Sequence, residues 1–499
     1  MQTNTTGHPK GLYYLFFTEM WERFSYYGMR AIFILFMTKV LMLKDDDASE
    51  IYGSYTGLVY LTPLLGGYLC DRYLGNRRSI IIGGFLMAIG QFCMFLSASA
   101  GTHGGVEMMW MGLTALIIGN GFFKPNISTM VGQLYPANDR RIDSAFTIFY
   151  MGINLGAFFS PLVCSSFSEY KYGFLAACIG MLIGVISFAL LQKKYLISLE
   201  GKEIGLPVKP LDLKSILLII GSIAIIFTML NFKQWFKSDT DIIAYFIYGS
   251  MVLMPVILLS DKSLSRQEMM RLIVVFILAF FVIFFWGAFE QAGASLTLFA
   301  DRQTDRNLFG WEMPAEYFQS INPLSVIALA TVFTMIWGFL AKRKMEPSSP
   351  KKMAWGLLLV AIGYIVIAIP VKGLGATEKV SMWWLIALYV IHTMGELCLS
   401  PIGLSMVSKL APLRLSSLLM GTWFLANAAA NKFAGTLSAL IPPANPQPGD
   451  TFPVFMGIQI DNLFSFFMVF ILMSGAAAGL LFGLSKYLED LINTPAEKA

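Results

Sequence analysis

The chain has 499 residues, of which 56% are hydrophobic and only 13% charged, whereas soluble domains run near 25% charged. A soluble protein of this composition would need a core larger than single domains build, so most of the chain is expected to lie in lipid. That excludes a nucleic-acid binder or a soluble Rossmann enzyme, and the net charge of +5 requires no anionic partner.

The N-terminus, MQTNTTGHPKGLYYLFF, lacks the basic region, short apolar region and A-x-A site of a cleaved signal, so the first apolar helix is expected to be retained. A spanning helix needs about 20 mostly apolar residues. Such stretches recur at 12–42, 50–70, 79–99, 107–133, 143–168, 172–192, 213–232, 241–260, 269–299, 321–341, 352–371, 380–409, 415–440 and 461–487, which predicts fourteen transmembrane helices. Spanning strands are disfavoured, because barrel segments are about 10 residues of strict alternation. Of the 36 Lys and Arg, 23 fall in loops on one side and 9 on the other. Under the positive-inside rule this sets both termini in the cytoplasm. Among the outer loops is one with Asp45-Asp46-Asp47. The five cysteines show neither metal spacing nor a secreted framework and read as inert core residues.

The basic loop 193–214 splits off six helices and the basic loop 261–271 precedes the last six. The predicted domains are therefore an N-terminal six-helix bundle (1–195), a cytoplasmic linker with two additional helices (196–265) and a C-terminal six-helix bundle (266–499). The loops after the second helix of each half echo one another, GGYLCDRYLGNRR (66–78) and WGFLAKRKMEPSSPKK (337–352). Paired six-helix halves mark major-facilitator transporters, whose substrate site is expected between the halves near the midplane.

Eight charges fall inside apparent spans: Glu19, Glu22, Arg23, Arg30, Lys124, Glu290, Glu396 and Lys432. At 2.5–3.5 kcal/mol each they would cost on the order of 20 kcal/mol unpaired, more than the typical stability of about 5–15 kcal/mol. They are therefore expected to face water or one another. In TEMWERFSYYGMR (18–30), Glu19, Glu22, Arg23, Tyr26, Tyr27 and Arg30 follow i, i+3, i+4, i+7, i+8 and i+11, a single helical face. A salt-bridge seam and a polar wall lining a cavity can coexist there. The N-half supplies the cations Arg23 and Lys124 and the C-half the acids Glu290 and Glu396, a combination suited to a zwitterion with separated charges. Lys124 precedes Pro125, and Glu396 lies five residues before Pro401; proline frees helix carbonyls where protein or water can satisfy them. Asn154 and Tyr150 form an i, i+4 polar pair. Trp286, Trp423 and Tyr60 could be cavity walls or packing. Lys432 shows no obvious partner and is expected either to snorkel or to bond Asn427 or Asn431, and His392 reads as a packed residue.

These motifs resemble the proton-dependent oligopeptide transporters, a major-facilitator branch. TEMWERFSYYGMR is similar to the family's E-x-x-E-R-F motif. The resemblance continues, in family order, through GGYLCDRYLGNRR, GNGFFKPN (119–126), FYMGINLG (149–156), FEQAG (289–293), SINP (320–323) and GELCLSP (395–401), and the two extra central helices resemble those of prokaryotic members. It implies proton coupling by Glu19, Glu22, Arg23, Lys124 and Glu290. It further implies peptide contacts from Arg23, Tyr26, Tyr27, Tyr60, Lys124 and Asn154 on the N-half. On the C-half they come from Trp286, Asn322, Glu396, Ser400 and Trp423, with Glu396 facing the peptide amino group. Arg30 and Glu290 match an outer-gate pair. The implied function is inward symport of di- and tripeptides with protons across a bacterial inner membrane, with no cofactor beyond the coupling proton and no nucleic acid. Animal members carry a helix-2 histidine that this chain lacks, which leaves proton handling to the carboxylates. A nitrate carrier is disfavoured because Glu290 and Glu396 repel anions. A membrane enzyme is disfavoured because three scattered histidines supply neither a nucleophile–base pair nor a metal cluster.

Overall fold

In the computed structural model, residues 7–136, 139, 141–207, 212–375, 378–443 and 452–492 are described. Arg140, Lys209 and Lys498, three of the basic residues assigned above to the cytoplasmic side, lie outside them. The described chain is mostly helical. Apolar runs with no water beside them must satisfy every backbone N–H and C=O internally, and a helix does so within one segment.

The first unit comprises Met1–Met42 and Leu58–Ile242. It holds α1 (Lys10–Lys39), the latter part of α2 (Asp45–Leu69), α3 (Asn76–Ala100), α4 (Gly105–Gln133), α5 (Ile142–Cys164), α6 (Tyr170–Tyr195), α7 (Leu213–Leu230) and the short α8 (Phe232–Phe236). Here α3 packs on α4, α1 on α5, α6 on both α3 and α1, and α7 on α4. Small residues let backbones meet, the usual basis of helix association in lipid. A Cβ on Gly119 of α4 would stand 2.6 Å from the Gly83 carbonyl of α3, and one on Gly121 would stand 2.8 Å from the Thr62 carbonyl of α2.

The second unit comprises Leu43–Gly57 and Ile243–Ala499. It holds the first turns of α2, then α9 (Ile242–Leu259), α10 (Arg266–Phe289), α11 (Ser295–Gln303), α12 (Ile321–Lys342), α13 (Ser349–Val371), α14 (Met382–Leu410), α15 (Ser416–Ser438) and α16 (Leu463–Ile492). Here α13 packs on α14 and α16, α10 on α15 and α16, and α12 on α14. Within this unit one face of α2 meets α11 and α15 through polar and small residues spaced four apart. Asp45 accepts both Arg302 guanidinium nitrogens at 2.5 and 2.7 Å. Ser49 shares a 2.9 Å hydrogen bond with Ser438. A Cβ on Gly53 would stand 2.7 Å from Gly435 Cα.

Each of the fourteen predicted spans coincides with a long helix among the described residues, and ten of these are long and apolar enough to cross a membrane. The stretch 269–299 departs from the expectation of one helix. It breaks into α10, a 3-10 turn at Glu290–Gly293, and α11. The segment after α11 is folded. Short strands Thr304–Asp305 and Val380–Ser381 pair in parallel, and Asn307–Leu308 pairs with Trp311–Glu312 in an antiparallel hairpin. At its tip Phe309 and Gly310 both have positive φ, 53° and 89°, the sign pattern of a type I′ turn. Arg306 staples the hairpin to Glu312 (3.0 Å) and to the Met313 carbonyl (2.5 Å).

Candidate functional site

The predicted polar face of α1 is buried in the first unit: Glu19, Glu22 and Arg23 are 2%, 0% and 3% exposed. Arg23 Nε lies 3.0 Å from Glu19 Oε1 and also pairs with Glu22. From α4, Asn120 Nδ2 donates to Glu22 Oε1 at 3.1 Å. Lys124, one turn further along α4, is close enough to act electrostatically on both carboxylates. Its Nζ sits 4.3 Å from the centre of the Tyr60 ring. Arg23 lies over Tyr26 (5.5 Å), Tyr26 packs edge-on to Tyr27 (5.1 Å), and Arg30 lies over Tyr27 (5.8 Å), so rings and cations alternate up the helix.

Local sequence explains this placement. Gly119 and Gly121 let α4 approach α3 and α2, and Thr62 Oγ1 donates to the Ile117 carbonyl at 2.9 Å, which fixes the stretch carrying Asn120 and Lys124. On α5, a Cβ at Gly156 would stand 2.9 Å from Arg23 Cβ. The close approach of GINLG to α1 therefore backs Arg23 with backbone instead of side chain. Among the described residues, buried polar atoms of the cluster that make no hydrogen bond include Arg23 Nη2 and Asn120 Oδ1. Buried polar groups in native folds are nearly always bonded, so each exception calls for an explanation.

The second unit builds its constellation around the break after α10. Glu290 opens the 3-10 turn and is 4% exposed. Gln291 holds the turn by donating to the Gly287 and Ala434 carbonyls (3.0 and 2.9 Å) and accepting from Ser295 Oγ (2.5 Å). Tyr364 and Tyr389 donate to the Ala288 and Ala292 carbonyls at 2.7 and 3.2 Å. Carbonyls released by the break thus find partners, which is what permits irregular backbone among spanning helices. In the first turn of α12, Asn322 Nδ2 donates to Glu396 Oε2 (2.8 Å) and to Thr393 Oγ1 (3.0 Å) on α14. Glu290 acts electrostatically on Glu396. Ser400 follows one turn later on the same face. Trp286 packs edge-on between Phe285 and Phe289, both at 5.1 Å.

Four residues gain definite partners or packing. Asn154 donates to the Tyr150 carbonyl at 2.9 Å, a bond within α5 and not one between side chains. Trp423 is packed against α14 where Gly403 leaves room for its ring. Lys432 Nζ donates to Ser54 Oγ on α2 at 2.8 Å, a partner other than the Asn427 or Asn431 expected from sequence. His392 is a packed residue, bonded to the Val360 carbonyl at 3.2 Å. Sequence reading passed over Asn120, Thr393, Gln291 and Ser54. Asn120 and Thr393 were within reach of it, since they lie four residues before Lys124 and three before Glu396, on the same helical faces.

The family model described as the POT family (PTR2) matches residues 77–450. The peptide transporter YePEPT of Yersinia enterocolitica is 37% identical over 471 residues, covering 88% of this chain and 90% of that protein. Dipeptide and tripeptide permease A of Escherichia coli K12 is 31% identical over 447 residues, covering 88% and 85%. Among solved structures, a variant of the peptide transporter POT in complex with alafosfalin superposes with a TM-score of 0.84 at 33% identity, covering 99% of this chain and 97% of that one.

Proposed function

This chain belongs to the POT family of peptide transporters, and from that premise we propose that it imports di- and tripeptides with protons by alternating access across a bacterial cytoplasmic membrane. The proposal includes fourteen spanning helices arranged as two six-helix halves with α7 and α9 as additions, and both termini in the cytoplasm, in keeping with the excess of Lys and Arg on that side.

The observation that carries the reading is the buried set of Glu19, Glu22 and Arg23 with the half-buried Lys124 beside it, two acids and two cations in one unit. Such a set has two neutral ways of being satisfied. Either the cations neutralise the carboxylates, or a peptide carboxylate takes the cations and the released acid takes a proton. Peptide and proton then favour the same state, which is thermodynamic coupling. For the other end of the peptide, Glu396 supplies an anion oriented by Asn322 and next to Glu290, and an ammonium group would relieve the crowding of the two acids. Tyr26, Tyr27, Tyr60, Asn154, Trp286, Ser400 and Trp423 are assigned supporting contacts, and Arg30 and Glu290 the outer gate. The test is uptake of labelled dialanine into proteoliposomes with and without an inward pH gradient. Accumulation only with the gradient is expected; equal uptake in both, or none of any peptide, would overturn the reading.

A further inference from the structure

Asn120 of α4 bonds the Glu22 carboxylate of α1. Its side chain is 1% exposed, and the Glu22 side chain it bonds is fully buried. The amide donates through Nδ2, while its own Oδ1 is buried and makes no hydrogen bond; Glu22 Oε2 is paired with Arg23. A carboxamide is both donor and acceptor, whereas a carboxylate only accepts and a carboxylic acid also donates. The present arrangement satisfies the ionised acid and leaves the amide carbonyl idle. Turning the amide over would present Oδ1 to a Glu22 that carries a proton. The backbone cannot follow such a turn, because Gly119 and Gly121 on either side hold α4 against α3 and α2.

We propose that Asn120 is a positioning residue for the coupling proton, donating to Glu22 when it is ionised and accepting from it when it is protonated. The inference rests on the symport reading above and adds a residue to it. Charged groups facing Glu22 are Glu19 and Arg23 on α1 and Lys124 on α4. From the other side, α5 meets α1 beside Arg23 through Gly156, and α3 meets it through Gln91, which donates to Ser25. An amide, unlike these charges, can serve both protonation states without changing the net charge of the cluster.

The test compares Asn120→Leu, of similar size but apolar, with Asn120→Thr, whose hydroxyl both donates and accepts. The first readout is the pH midpoint of gradient-driven dialanine uptake. Loss of a charge-assisted donor to the carboxylate is expected to move the midpoint up by about one pH unit in Asn120→Leu, tenfold in proton affinity. Asn120→Thr should lie nearer the unsubstituted protein. The second readout needs no transport: the infrared carbonyl band of protonated Glu22, identified by its loss in Glu22→Gln, should shift to higher frequency in Asn120→Leu as its acceptor disappears. An unmoved midpoint with an unmoved band overturns the inference, even if Asn120→Leu is less stable. A shifted band in a protein without gradient-driven uptake overturns symport and leaves the role of Asn120 standing. Should Asn120→Leu not fold, Asn120→Ala carries the same two measurements.

Discussion

Lys432 on α15 donates to Ser54 on α2, with the ammonium carrier only 1% exposed. The bond continues the stripe of Asp45, Ser49 and Gly53 by which the first turns of α2 pack on α11 and α15 within the second unit. A hydrogen bond to a buried charge contributes about 1.5–3 kcal/mol. Ser54→Ala should therefore lower the detergent melting temperature by several degrees, and Ser54→Thr, which keeps the hydroxyl, should not. Equal melting of the two variants would remove Ser54 from the account of how Lys432 is tolerated.

Glu22→Gln keeps the shape and the bond to Asn120 but cannot take up and release a proton. Gradient-driven accumulation of dialanine should fall to background, while exchange of peptide across the membrane continues. Accumulation at the unsubstituted level would show that the coupling proton is carried elsewhere.

Acetylating the peptide amino group and replacing Glu396 with Gln should remove the same interaction from its two ends. Each alone is expected to weaken binding about ten- to a hundredfold, from one charge-assisted contact of about 1.5–3 kcal/mol. Together they should do little more than either. Additivity within about 0.5 kcal/mol in this cycle would mean that Glu396 does not read the amino end.

Gln291→Ala should be among the most destabilising single changes in the second unit. It strips two donated bonds and one accepted bond from the turn after α10, leaving buried partners unsatisfied at about 1–3 kcal/mol apiece. A drop in melting temperature well beyond that of Ser54→Ala is expected, and no drop would mean that the break holds itself.

Outside the spans, the hydrogen bonds and charge of Arg141 pull the Asp139 carboxyl down to about 2 from its usual 3.8. For a depressed acid, the stability gained is present above the unfolded value near 3.8 and fades as pH falls through about 2. Asp139 thus stays ionised across every pH at which uptake is measured. Asp139→Asn should leave the pH midpoint of uptake where it is; a shifted midpoint would place a proton-sensitive element at this loop.

Long apolar runs made all fourteen helices legible, and the 3–4 spacing of TEMWERFSYYGMR placed Glu19, Glu22 and Arg23 together before any coordinates. Hydropathy is blind to what happens inside a run. FEQAG is as apolar as its neighbours apart from Glu290 and Gln291, so nothing in the periodicity marks the 3-10 turn. Its cause is tertiary, in carbonyl partners contributed by Gln291, Tyr364 and Tyr389. The Ser54 partner of Lys432 was hidden for a related reason: it lies 378 residues away, and one sequence carries no record of that pairing. Asn120 was overlooked for its chemistry, because an uncharged amide costs little in a span and draws no attention beside Lys124.

The hairpin after α11 also offers a handle. Phe309 stands wholly in solvent at its tip, in a left-handed conformation that suits Asn or Gly far better than an aromatic ring. Helical transporters give image alignment few features that rise out of the detergent belt. Here an exposed two-strand hairpin, stapled by Arg306, supplies such a feature. Replacing Phe309-Gly310 with a short epitope closed by Asn-Gly would seat an antibody fragment on that hairpin as a fiducial.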